Sequence, residues 1–227
     1  MRAQEKSIKG FTILELIVVI VIIGVISAAA YPSFSSWRKE REVRGAAIEI
    51  KNLFTNINSQ VQRGMYAFVQ VEVVEDSTNQ ILTITSKGMH LNTMLQRARN
   101  EDGWTTSMDI RCSSTQPWDD EGSPTNRKLE VNQLVYDEIT TNIADPDALQ
   151  GTVCFSKDGT YYSYSEPLEI DSFFYICGRS PTNTSCNVSG AGVPDAGLDN
   201  VFAINWSRFG EVTLEKWSKT KEDWVLQ

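Results

Sequence analysis

Apolar and polar positions divide the chain into three regimes. Between Phe11 and Tyr31 the run FTILELIVVIVIIGVISAAAY carries a single ionisable group, Glu15. At ~1.5 Å rise per residue the run covers roughly the 30 Å of a bilayer's hydrocarbon core, and it therefore predicts a membrane-spanning helix. From Ser33 to Arg63 the helical period continues with a different character. Val43, Ala46, Ala47, Ile50, Leu53, Phe54, Ile57 and Val61 recur at three- and four-residue spacing, one apolar stripe on an otherwise polar helix. Such a stripe packs a globular head, whereas the all-round apolar part before Pro32 suits lipid or a protein core. Gly24 and Pro32 are expected to kink or locally melt the helix, because proline removes a helical hydrogen bond. Gly64 is expected to end it.

Beyond Gly64 the period changes to two. Met65, Ala67, Val69, Val71 and Val73 fall on one side of a strand over 65–74, with Tyr66, Gln70 and Glu72 on the other. Ile81–Thr85 is its hairpin partner. His90–Asn100 reads as a short helix, and Trp104–Cys112 and Lys128–Ile139 as strands. The runs 152–156 and 160–164 flank Lys157-Asp158-Gly159, a hairpin signal. Phe173–Cys177 is a further strand, Thr182–Asn200 a loop, and Val201–Trp206 with Glu211–Trp217 a closing hairpin around Gly210. The order predicts an α+β fold: one long N-terminal helix packed on an antiparallel β-sheet head. No internal repeat and no second domain boundary is visible.

Charge adds one difficulty. Arg2, Lys6 and Lys9 precede the apolar run, while Arg38, Lys39, Arg41, Arg44 and Lys51 follow it. Counted by the positive-inside rule, that excess would leave the large part of the chain in the cytoplasm. The cysteines point the other way. Cys112, Cys154, Cys177 and Cys186 make an even set suited to an oxidising compartment and two disulfides. Three connectivities are open; the expectation is Cys177–Cys186, closing a Ser/Thr/Asn-rich loop, and Cys112–Cys154.

A short basic leader, then Gly10, Phe11, Thr12 and Glu15, then an unbroken apolar run, resembles the type III prepilin signal of the type IV pilin and pseudopilin superfamily. The resemblance implies that a membrane aspartyl peptidase, the prepilin peptidase, cuts after Gly10 on the cytoplasmic face and methylates the new amine of Phe11. It further implies that the Glu15 carboxylate faces the N-terminal amine of a neighbouring subunit in a fibre, an ion pair that gives registry more surely than net stability. The implied organisation is a leader over 1–10, a transmembrane and fibre-core helix over 11–31, an amphipathic helix over 32–64 and a β-rich head over 65–227. The implied localisation is the bacterial inner membrane, single-pass with a periplasmic head, and then a pilus or pseudopilus. The implied partners are other pilins or pseudopilins and an inner-membrane assembly platform with a separate ATPase. Pro32-Ser33-Phe34 with Trp37, Cys154-Phe155-Ser156-x-Asp158-Gly159 and Ile204-x-Trp206-x-x-x-Gly210-x-Val212 resemble the minor pilins and pseudopilins of the FimT/GspH type.

Other readings of the run are an ordinary anchor helix and a cleaved secretory signal using Ala28-Ala29-Ala30. The first makes Gly10, Phe11 and Glu15 coincidences, and the second needs an apolar stretch shorter than this one and free of Glu15.

Of the chain's 21 basic and 29 acidic side chains, Arg2, Lys6, Lys9 and Glu5 lie in the leader, leaving 18 against 28, a balance of −10. An acidic surface does not attract phosphate backbones. DNA uptake, which some proteins of the FimT type take part in, would need Lys216, Lys219 and Lys221 to cluster, yet Glu215, Glu222 and Asp223 are interleaved with them. Trp217 and Trp224 suit base stacking or hairpin packing equally well. No cofactor is implied. A single histidine, His90, and the lack of a nucleophile elbow or P-loop argue against an enzyme. No C-x-x-C suggests a metal, and Asp119, Asp120 and Glu121, or Asp195 and Asp199, lack a recognisable calcium-ligand spacing.

Overall fold

A computed structural model describes residues 11–76, 78–100, 129–142, 150–156, 161–163, 173–179, 185–189, 192–206 and 211–227. Helix α1, Ile13–Gln62, runs without interruption through Gly24 and Pro32, so the expected melting at these two positions does not occur. The helix stops where Gly64 was expected to stop it. Gly64 has φ 74°, its N–H bonds the Val61 carbonyl (2.9 Å), and the Met65 N–H reaches back to the Gln60 carbonyl (3.0 Å). That pair of bonds is a Schellman motif, and it needs a left-handed residue that glycine adopts at no steric cost.

Residues up to Arg41 form one compact unit and residues from Glu42 onward another. In the second, the strands are β1 (Phe68–Asp76), β2 (Ile81–Met89), β3 (Leu129–Asp137), β4 (Ile139–Thr141), β5 (Gln150–Ser156), β6 (Tyr161–Ser163), β7 (Phe173–Gly178), β8 (Phe202–Trp206), β9 (Val212–Ser218) and β10 (Asp223–Leu226), with a short helix α2 (Leu91–Asn100) after β2. They form two antiparallel sheets, ordered β3-β2-β1-β5-β6 and β10-β9-β8-β7-β4. The α+β expectation is met, but as two sheets.

Both sheets contribute to one core with the striped part of α1. All eight residues of the predicted stripe are buried, none more than 7% exposed, among Val69, Val71, Leu82, Ile84, Val153, Phe155, Ile176, Phe202 and Ile204. Phe54 links the sheets most directly. Its ring stacks on Trp206 of β8 (centroids 5.2 Å) and meets Phe155 of β5 edge-on (5.3 Å).

The predicted strand over 65–74 begins three residues late, at Phe68. Tyr66 is used instead to cover β2: its ring lies flat on Gly88, where a Cβ would sit 2.8 Å from Tyr66 Cε1. Gln70, predicted on the polar side, is fully buried in β1, the central strand of its sheet, flanked by β2 and β5. Strand β10 has no counterpart in the periodicity: its four residues are too few to show a period, and pairing with β9 defines it. The expected strand over 104–112, the loop over 116–126 and the Lys157-Asp158-Gly159 turn lie outside the described residues, as does Gly210.

A buried ion pair joins the ends of the two sheets. Arg179, just after β7, meets Glu75 of β1, and the other Glu75 oxygen accepts from Thr140 Oγ1 of β4 (3.1 Å). The two charged side chains are 8% and 4% exposed. Burial pulls the Arg179 pKa down from its ordinary value. Removing one partner strands a charge away from water, while replacing both restores an apolar contact. Arg179→Met is therefore expected to lower stability by about 3 kcal/mol, and the double variant Glu75→Leu/Arg179→Met to recover most of that loss. Thermal unfolding of the three proteins checks it, and additive losses would remove the coupling.

Candidate functional site

The start of α1 is built by the sequence Thr12-Ile13-Leu14-Glu15. Thr12 is the residue before the first helical position, and Glu15 is the third residue within the helix. The Thr12 N–H donates to Glu15 Oε2 (3.3 Å), and the Glu15 N–H donates back to Thr12 Oγ1 (3.2 Å). The Thr12 hydroxyl also approaches Glu15 Oε2, at 3.4 Å, and the Thr12 carbonyl accepts the Leu16 N–H (3.2 Å). This is a reciprocal capping box, which satisfies two of the amide groups a helix start leaves without partners and sets a negative charge at the positive end of the helix dipole.

The signal was present in the sequence as T-x-x-E before an apolar run, yet it does not follow from reading Glu15 only as a charge in an apolar segment. The box turns the carboxylate back toward the N-terminus, one residue from Phe11. The large apolar side chains from Phe11 to Ile26 are 48% to 85% exposed, an unpartnered apolar surface on every side of the helix. Among the described residues no helix is long and apolar enough to cross a membrane. The expected span runs on to Tyr31, and the side chains of residues 29–33 are outside those described. Gly10, the expected cleavage point, is outside them as well.

Against this geometry, the family described as "Prokaryotic N-terminal methylation motif" matches residues 6–31. The N-terminal stretch of this chain carries that motif. Two curated relatives, both named "Fimbrial protein" and both from Pseudomonas aeruginosa, are 36% identical over 59 residues, which is 26% of this chain and 38% of theirs. The chain thus spans well under half the length of the curated relatives it matches. No solved structure matches it.

The other expected sites are distributed over the head. Cys177 and Cys186 form a disulfide, Cα atoms 5.8 Å apart, as the loop composition suggested. Cys154 is buried in β5 and disulfide-bonded, while Cys112 lies outside the described residues. The staple holds a small second core, in which Cys177, Cys186, Leu198 and Val201 pack with Tyr175, Trp217 and Trp224. Trp224 lies against Tyr175 (5.6 Å) and Trp217 (5.4 Å), and its indole N–H donates to the Gly192 carbonyl (2.9 Å). Both tryptophans are thus spent on packing the disulfide loop.

Lys216, Lys219 and Lys221 do line one cleft, of about 430 Å³, together with Trp217 and Asp199. Within it Lys219 is paired with Asp199. The arrangement keeps a cation engaged by a carboxylate where a phosphate backbone would need it available. His90 is a packing residue: its Nδ1–H donates to the Met65 carbonyl (2.9 Å) and its ring lies 5.0 Å from Tyr66. Among the described residues no group of three or more His, Cys, Asp or Glu side chains is placed to hold a metal ion. Asp119, Asp120 and Glu121 lie outside those residues.

Proposed function

We propose that this protein is a minor pilin or pseudopilin, a structural subunit cut after Gly10, methylated on Phe11 and assembled into a type IV pilus or a type II secretion pseudopilus. The observation that carries the reading is the start of α1. A carboxylate is held by its own cap beside the position of the new amine, and it is followed by an apolar surface that the single chain leaves uncovered. Before assembly the bilayer covers that surface, with residues 11–31 crossing the inner membrane and the head in the periplasm. In the fibre, neighbouring copies of the same kind of helix cover it.

A charge at the centre of such a segment costs about 2.5–3.5 kcal/mol on insertion scales, and a charged partner offsets the smaller cost of Glu15 near its end. The amine of an adjacent subunit's Phe11 supplies one. Prepilin peptidase, an assembly platform and a separate ATPase are the partners this process needs. The FimT/GspH subtype is supported by the residues quoted for it, of which Phe155 and Trp206 both lie against Phe54 in the core. The DNA-binding alternative gains no support from a cleft whose Lys219 is paired with Asp199.

Mass spectrometry of the N-terminus, on protein taken from membranes of its own host, tests the reading. The expected result is N-methylated Phe11. A chain beginning at Tyr31 would identify a secreted domain released by signal peptidase, and an intact Met1 an uncut anchor; either overturns the proposal.

A further inference from the structure

Beyond the apolar run, α1 presents an exposed aromatic and cationic face. Phe34, Trp37, Arg38 and Arg41 stand at i, i+3, i+4 and i+7, the spacing that aligns side chains along one side of a helix. Phe34 is 61% exposed and Trp37 49%. Their ring centroids are 5.7 Å apart, and the Arg41 guanidinium lies over the Trp37 ring at 4.8 Å. Large exposed rings carrying a stacked cation are not what a solvated helix face needs.

We propose that this aromatic and cationic face binds the phosphate headgroups of anionic phospholipids at the periplasmic surface of the membrane, which holds the subunit at a defined depth before assembly. The inference rests on the reading that residues 11–31 lie in the bilayer. Three observations support the lipid as occupant.

The first is position. At about 1.5 Å per residue Phe34 lies roughly 35 Å along the helix from Phe11, just past a hydrocarbon core of about 30 Å, and Trp37 and Arg41 follow within two turns. The second is chemistry. Indole and phenyl rings partition to the boundary between acyl chains and headgroups. An arginine stacked on a ring is already oriented and still presents its N–H fork edge-on, a geometry that matches phosphate oxygens. The third is the charge excess of Arg38, Lys39, Arg41 and Arg44 after the span, which is anomalous as a topology signal. It becomes intelligible as attraction to an anionic surface, with Glu40 and Glu42 only partly offsetting it.

The acidic surface of a second copy would complement the cations, a match of charge that does not call for the exposed rings of Phe34 and Trp37. The lipid interface accommodates both.

The test uses the full chain carrying benzoyl-phenylalanine in place of Phe34, reconstituted in vesicles of phosphatidylcholine alone or mixed with phosphatidylglycerol. After irradiation, the adducts are identified by mass spectrometry. Phospholipid adducts are expected, with phosphatidylglycerol enriched about threefold or more over its share of the bilayer. The Trp37→Ala/Arg41→Gln variant is expected to lose that enrichment while still resisting carbonate extraction. Crosslinks to another copy of the chain, or lipid adducts without enrichment, overturn the proposal while leaving membrane insertion standing. Carbonate extraction of the unsubstituted chain itself would remove the membrane reading, and this inference with it.

Discussion

Glu15→Gln is expected to insert in the membrane, to be cut and methylated at Phe11, and to be missing from the fibre. The glutamine variant is the decisive one because the capping box accepts Glu or Gln at its third position. It preserves the local bonds between Thr12 and residue 15 while removing the charge. Glu15→Ala removes both. If the carboxylate pairs with a neighbour's amine, both variants should reduce incorporation by more than about tenfold, the equivalent of about 1.4 kcal/mol, and the reduction should be similar. If only the cap matters, Glu15→Ala alone should be defective. Immunoblots of sheared fibres against the membrane fraction, with the processed N-terminus checked in each strain, separate the cases. Normal incorporation of Glu15→Gln would sink the ion-pair role.

Phe54→Ala should destabilise the head by about 4 kcal/mol, the cost of deleting a fully buried aromatic ring plus the cavity it leaves. At about 2–4 °C per kcal/mol for a domain of this size, the melting temperature should fall by roughly 10 °C. The loss is expected to be larger than for an equally buried residue that touches one sheet only. Phe54 is in ring contact with Phe155 and Trp206, one on each sheet, so its removal loosens both interfaces of the helix. Ile50→Val, one methylene less on the same stripe, should cost about 1 kcal/mol. Near-UV circular dichroism against temperature, on the full chain in detergent with its disulfides intact, reads both. A Phe54→Ala melting point within a degree or two of the parent would show that the sheets hold together without the helix ring.

Much of the candidate site was legible because its chemistry is local. Gly10, Phe11, Thr12 and Glu15 are adjacent in sequence, and the family match falls on the same stretch. The capping box is equally local, but the charge of the carboxylate by itself does not point to it. The disulfide between Cys177 and Cys186 was also within reach, since it closes a short loop. The fate of Trp217 and Trp224 was not. Composition suits them to stacking on a base or on each other, and only the pairing of β9 with β10 places them 5.4 Å apart.

The sequence by itself determined the helix, the eight core positions on its striped part, the glycine that ends it, most strand locations and the processing motif. Each of these depends on residues within a few turns or a few strand positions of one another, where period and cap chemistry act directly. The tertiary structure alone decided that the strands divide into two sheets and that Phe54 bridges them. It also decided that Glu75 finds Arg179 across the gap and that Gln70 is buried on a central strand. Those outcomes depend on which distant segments pair, and a strand's period of two specifies a face to bury without naming the partner that buries it.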